Sequence, residues 1–269
     1  MEISDSGLKN VIILGAGRTG SSLLAGLIAH NRYWINQESI ESRTGYPDGD
    51  YENPSLVKLN KEIFTESGYG HTKVVSDRKV DITAIKKLVY ADDIYKYKAF
   101  IQKCEENSPW LWKDPRLCYT MYFWQSLLEL DHIDFLFIRR DKYDIFRSYT
   151  KYQIYTTKTE VYRKYDEQIA AVEAFLEENK VSCLRILYPE LKRKEELISK
   201  LNNYLGTSIT IEDYKAVERT GMRPNETELA FWLRYYWGVC KLRIGRIMRK
   251  EEGQSEREYY LQNESDGKI

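Results

Sequence analysis

Asn10-Val11-Ile12-Ile13-Leu14-Gly15-Ala16-Gly17-Arg18-Thr19-Gly20-Ser21-Ser22 joins an apolar run to a glycine-rich turn and a pair of hydroxyls. Its first five residues form a short apolar run rich in β-branched side chains and closed by Gly15, the signature of a buried strand. Ser21 then opens an apolar stretch to His30 that reads as a helix. Glycines between a strand and a helix let backbone N–H groups approach an anion, and the helix turns its positive dipole end towards the same point. A phosphate is the natural guest of such a turn.

Beyond this stretch the chain keeps alternating between the two periods. Residues 109–113, 133–138 and 181–187 read as further strands, and 33–36 as a shorter one. Residues 53–67, 143–152, 161–179 and 227–250 read as helices, with 81–104 and 119–130 helical in pieces. A helix begun by Pro189 is expected to run to Tyr204 and stop at Gly206, while Gly, Pro, Asp and Ser punctuate a long loop over 41–53. Strands alternating with helices predict an α/β protein with a central, mostly parallel sheet flanked by helices. Ligands of that architecture sit beyond the carboxyl ends of the strands, where every motif below falls. The expected organisation is one domain over 1–252 and a polar tail over 253–269.

With 41 basic and 41 acidic side chains the net charge is zero, so no molecule-wide field draws nucleic acid, and any basic site is local. A charged and then apolar leader is missing from the N-terminal residues, and residues 11–14 are too short to span a bilayer, so a cytoplasmic protein without a membrane span is expected. Cys104, Cys118, Cys183 and Cys240 lack any C-x-x-C spacing, which suits reduced thiols and predicts no metal.

The glycine turn supports three parses. Gly15, Gly17 and Gly20 satisfy G-x-G-x-x-G, and Glu38 stands where a dinucleotide-binding oxidoreductase for NAD(P) or FAD needs an acid for the ribose. That fold leaves Arg18 and the Ser21-Ser22 pair without a task. The frame of a nucleoside triphosphatase or kinase loop also fits, but Ser21 occupies the position of its lysine. The third parse takes Arg18-Thr19-Gly20-Ser21-Ser22 as the unit, a fixed cation and small hydroxyls around a phosphate that carries a transferable group.

Two later segments bear on the choice. Strand 133–138 runs into Arg139-Arg140-Asp141, and Ser148 lies two helical turns beyond Arg140; these can converge on one anion, or Arg139 and Arg140 can pair with Asp141 and Asp144 on a solvated surface. Trp110-Leu111-Trp112-Lys113-Asp114-Pro115-Arg116 sets three charges at another strand end, with Pro115 holding Asp114 extended.

Taken together these segments resemble the nucleotide-dependent sulfotransferases, especially their bacterial branch. The shared features are the G-x-x-R-T-G-S-S loop, Lys113-Asp114-Pro115-Arg116, and Arg140-Asp141-Lys142-Tyr143-Asp144-Ile145-Phe146-Arg147-Ser148-Tyr149. Leu187-Tyr188-Pro189-Glu190-Leu191 is similar to a further segment of the family. The resemblance implies a P-loop-like three-layer domain and sulfuryl transfer from 3'-phosphoadenylyl sulfate (PAPS) to a hydroxyl or amine acceptor, leaving 3'-phosphoadenosine 5'-phosphate (PAP). It implies that Gly17, Arg18, Thr19, Gly20, Ser21 and Ser22 grip the 5'-phosphosulfate. Arg140 and Ser148 would take the 3'-phosphate, and Tyr188 would lie beside the adenine. Lys113 would add positive charge near the transferring group, and no metal is required. Where the eukaryotic branch carries its basic histidine this chain has Pro115, so Asp114, Glu52 and His71 are the candidate bases, His71 ranking last. The family's C-terminal nucleotide loop is absent as such, and Gly221 and Arg223 lie where a replacement would be. The acceptor is expected to be a small molecule or glycan. Aromatic residues around Trp232 and Tyr236 read as a packing face, an acceptor pocket or a homo-oligomer contact.

Overall fold

A computed structural model describes residues 7–36, 51–69, 79–151, 157–218 and 227–251. Four strands, β1 (Asn10–Leu14), β2 (Leu111–Lys113), β3 (Ile133–Arg139) and β4 (Cys183–Leu187), form one sheet in the order β2-β1-β3-β4. Every pairing is parallel, with Ile13 opposite Lys113 on one side and Leu136 on the other. Parallel neighbours require crossovers, and helices supply them. In the first part of the chain these are α1 (Ser21–Ala29), α2 (Pro54–Glu66), α3 (Ile82–Lys87), α4 (Tyr95–Glu105) and α5 (Leu117–Trp124). Then follow α6 (Lys142–Lys151), α7 (Lys158–Glu178), α8 (Lys194–Leu205), α9 (Ile211–Val217) and α10 (Glu228–Glu251).

The two-residue period of the strands divides the core into two layers. Val11, Ile13, Leu111, Leu136, Ile138 and Ile186 pack with side chains of α1, α8 and α9. The alternate residues meet aromatic rings on the other face: Phe135 lies 5.9 Å from Phe175 of α7, and Trp112 lies 5.4 Å from Phe100 of α4 and 4.9 Å from Trp124 of α5. Each such fully buried side chain contributes about 1.5–3 kcal/mol through removal from water. The outcome is an α/β protein whose parallel sheet is covered by helices on both faces.

Strand order fixes where a ligand can enter. The chain passes from β1 to β2 on one side and from β3 to β4 on the other, so the crevice opens beyond the carboxyl ends of β1 and β3. Gly15 follows β1 there and Arg140 follows β3.

Two local expectations are corrected and one element is new. Residues 33–36 do not make a strand: Trp34 forms a single parallel bridge with Trp110, because Arg32 and Asn36 on either side adopt positive φ, 73° and 56°, and end the extension. The segment after Pro189 is interrupted: a 3-10 turn over Tyr188–Lys192 precedes α8, separated by Arg193 at φ −93°, ψ 79°. Helix α9 was not anticipated, although Thr210 and Asp213 form a reciprocal capping box at its start.

The described chain gathers into two compact units. The first, residues 1–146 and 157–221, holds the sheet. The second comprises 147–156 and 222–269; within it Arg234 donates to the carbonyl of Thr150 at 2.6 Å, and Arg147 reaches Glu228 at 3.3 Å. Among the described residues no helix is long and apolar enough to cross a membrane.

Burial governs the cysteines. Desolvation pushes the Cys104 and Cys118 thiols up to about 12, whereas Cys240 is exposed. Because the thiolate is the reactive form, iodoacetamide at about pH 8 should alkylate Cys240 in the native protein and spare Cys104 and Cys118 until denaturant unfolds the first unit. Peptide mass spectrometry reads this directly, and native labelling of Cys118 at the rate of Cys240 would contradict the packing.

Candidate functional site

The turn after β1 is tight because other backbone crowds it. A β-carbon at Gly15 would lie 2.7 Å from the carbonyl oxygen of Ile138 on β3, so only glycine passes there. The fully buried Thr19 closes the turn by donating from Oγ1 to the carbonyl of Ala16 at 2.8 Å. Arg18 takes a left-handed φ of 69°, a conformation that costs a non-glycine residue about 1–2 kcal/mol. Gly20, at φ 95°, caps α1 without any side-chain hydrogen bond to the first turn. A side chain at Gly20 would strike Leu191 Cδ1 at 2.5 Å and the Tyr188 ring at 3.0 Å. Ser21 and Ser22 then begin the helix, whose uncapped amino end favours an anion.

Arg140 joins this turn from β3. Its Nη1 donates to the carbonyl of Arg18 at 3.1 Å, and its guanidinium carbon stands 3.8 Å above the Tyr188 ring. A contact of that kind contributes about 0.5–2 kcal/mol. The backbone N–H of Arg140 donates to the Tyr165 hydroxyl at 3.0 Å. Its Nε is buried without a hydrogen-bond partner, the nearest carboxylate being Asp144 at 3.8 Å. Asp141 does not pair with it but accepts from the backbone N–H groups of Tyr143 and Asp144, starting α6. Arg139 turns to the surface, 3.8 Å from Glu173.

Lys113 ends β2, and its phase on the strand sends it to the α1 side with Leu111 and Ile13. Its side chain is 5% exposed, and its ammonium donates to Glu52 Oε1 at 2.6 Å and to Ser22 Oγ at 3.2 Å. A buried ammonium needs such partners, because desolvation otherwise favours the neutral amine. Glu52 is 24% exposed, against 5% for its lysine partner. The next residue, Asn53, fixes α2 by accepting from the N–H groups of Ser55 and Leu56. The residue before Glu52, Tyr51, is left-handed at φ 53° and buried.

Asp114 points elsewhere. Its fully buried carboxylate accepts from Asn60 Nδ2 at 3.0 Å, from the Arg116 N–H at 2.9 Å and from Arg116 Nη1 at 3.0 Å. Asn60 in turn accepts from Trp124 Nε1 at 2.8 Å. This chain ties α2 and α5 to the end of β2 and leaves Asp114 turned away from the Lys113 contacts.

The structure therefore brings Ser22, Glu52 and Lys113 together at one end of the glycine turn and Arg140 and Tyr188 at the other. Gly17 is buried within the turn. Ser148 lies on the part of α6 that belongs to the second unit. Glu38, His71, Gly221 and Arg223 fall outside the described residues. Asn60, Tyr165 and the seat of Tyr51 had no signal in the sequence, since each acts through a long-range contact.

No protein-family model matches the sequence, and no curated protein matches it. Among solved structures the chain is similar to the sulfotransferase domain of the olefin synthase of Synechococcus PCC 7002, with a TM-score of 0.47, 14% identity and 84% of each chain covered.

The Asp114 network yields a stability prediction. Asp114→Ala leaves buried donors of Asn60 and Arg116 unpaired and should lower unfolding free energy by about 3 kcal/mol, read from the urea midpoint. A loss below about 0.5 kcal/mol, the range of an ordinary surface change, would contradict it.

Proposed function

We propose that this chain is a sulfotransferase that moves a sulfuryl group from 3'-phosphoadenylyl sulfate to a hydroxyl or amine of a small-molecule or glycan acceptor. The observation that carries the reading is the meeting of Lys113 with Ser22 and Glu52 at the mouth of the glycine turn. A dinucleotide turn has no use for that trio, and a nucleoside triphosphatase would carry its lysine at position 21, which is serine. An anion suits the other half of the turn, where the first turn of α1 has no side-chain cap and Arg140 Nε has an unused hydrogen.

The donor supplies an activated sulfur–oxygen bond to its 5'-phosphate, and the residues of the chain hold what surrounds that bond. The uncapped first turn of α1, with Ser21, Ser22 and Arg18, is assigned to the phosphosulfate, whose leaving phosphate gains negative charge as the bond breaks. Lys113 provides a compensating cation from the adjacent strand. Glu52 takes the proton of the acceptor group as the new sulfur–oxygen or sulfur–nitrogen bond forms. Arg140 is assigned to the 3'-phosphate, and Tyr188 to the base. Sulfuryl transfer of this kind relies on positioning and charge stabilisation and requires no covalent intermediate. Asp114, saturated by Asn60 and Arg116, serves as scaffold in this scheme.

PAP without magnesium, at about 100 times its dissociation constant, should add about 2.7 kcal/mol to stability and raise the melting temperature by roughly 5–10 °C. No shift with the bisphosphate beside a clear one with NAD or magnesium-ATP would sink the proposal. Labelled donor offered with sterol, phenol, sugar and amine acceptors should reveal turnover. Glu52→Gln should reduce kcat by about 10²–10⁴-fold through loss of the proton acceptor; the amide oxygen still accepts from Lys113 although the counter-charge is lost, and PAP should still bind.

A further inference from the structure

The three residues around Glu52 divide their work along one face of α1. Ser22, which receives the Lys113 ammonium, and Gly26 are four residues apart and lie one above the other on that helix. Tyr51 sits on Gly26: a β-carbon there would lie 2.9 Å from Cε2 and Cζ of its ring and 3.0 Å from Cγ1 of Val217. The ring therefore occupies the space of a side chain that α1 omits, between α1 and α9, and Tyr51 is 8% exposed.

We propose that Tyr51 is the positioning residue of this site: its ring, seated on Gly26, holds the adjacent Glu52 against Lys113. The proposal rests on the sulfuryl-transfer reading for the consequence to catalysis, though the geometry stands without it. Glu52 has an immobilised neighbour on each side. Tyr51 is wedged against α1 in a left-handed conformation, and Asn53 is pinned by its cap on α2. Its backbone is thus fixed at both ends, which sets the carboxylate 2.6 Å from the ammonium rather than free in solvent. Because Ser22 and Gly26 share one helix, the partner of Lys113 and the seat of Tyr51 cannot move independently.

The test compares Gly26→Ala, Tyr51→Ala and Tyr51→Phe with the wild type by reductive methylation of lysines, read by peptide mass spectrometry. Lys164, also buried and bonded to the Tyr69 hydroxyl at 2.7 Å, is the internal reference. Losing the ring or its seat should release Glu52 and speed labelling of Lys113 at least about tenfold, with Lys164 unchanged. Tyr51→Phe, which keeps the ring, should label as the wild type. With the acceptor found by the panel, the first two variants should lose about 10²-fold in kcat at unchanged KM for the donor, and Tyr51→Phe should retain both constants. Equal protection of Lys113 in all four proteins, or joint unmasking of Lys113 and Lys164, would overturn the proposal. Should Gly26→Ala fail to fold, Tyr51→Ala decides by the same two lysines. A wild type that neither binds PAP nor turns over donor defeats the function assigned above, while the labelling ratio still judges the role of Tyr51.

Discussion

The ammonium of Lys113 must be compensated where it is, with 5% of its side chain in contact with solvent. A charge so placed is tolerated only with a counter-charge and hydrogen-bond acceptors around it. Meeting that requirement draws together three pieces of chain far apart in sequence: the end of β2, the first turn of α1 and Glu52, which precedes the cap of α2. The glycine turn, the core layer beneath α1 and the entry of α2 are all arranged around one cation. The result is a site in which positive charge reaches the turn from the neighbouring strand and not from the helix that follows it.

The residue next to Lys113 shows how a strand end can serve two purposes. Successive side chains on a strand face opposite ways, so Lys113 enters the α1 layer while Asp114 enters the layer of α2 and α5. One charge is left partly answerable to a ligand. The other is consumed by Asn60 and Arg116, and in the low dielectric of the core such a saturated chain acts as a rivet. Two adjacent charges that look equivalent in sequence thus differ in availability, because the pleat separates them.

Much of the fold was legible. The β1 run, the β3 run and the long amphipathic α7 were readable from apolar periodicity, since burial on one or both faces dictates the residue pattern directly. Residues 33–36 misled for a backbone reason: the β-branched and aromatic content favours extension, but positive φ at Arg32 and Asn36 leaves room for one bridge. Helix α9 escaped because seven residues carry too little periodicity to stand out from a polar stretch. In the site, the turn itself was visible as glycines and hydroxyls. The contacts that give it meaning were not, because Lys113 meets Glu52 across 61 residues and Ser22 across 91, and no local pattern encodes a tertiary distance.

Arg140 carries the same reasoning to the other end of the turn. A guanidinium has five N–H donors, and one left buried without an acceptor is a standing cost of about 1–3 kcal/mol. The surroundings of Arg140 supply no hydrogen bond to Nε: Nη1 is spent on the Arg18 carbonyl, the planar face on Tyr188, and Asp144 forms only a long ion pair at 3.8 Å. Holding the side chain there also holds the left-handed Arg18, because the carbonyl of that residue is its acceptor. The strain of the turn and the unmet donor are therefore one feature, and an anion that satisfied Arg140 Nε would be stabilised by an arrangement already in place before it arrived. Preorganisation of this kind favours charge in the ligand over reshaping of the protein, which suits the phosphate-holding role proposed for this turn.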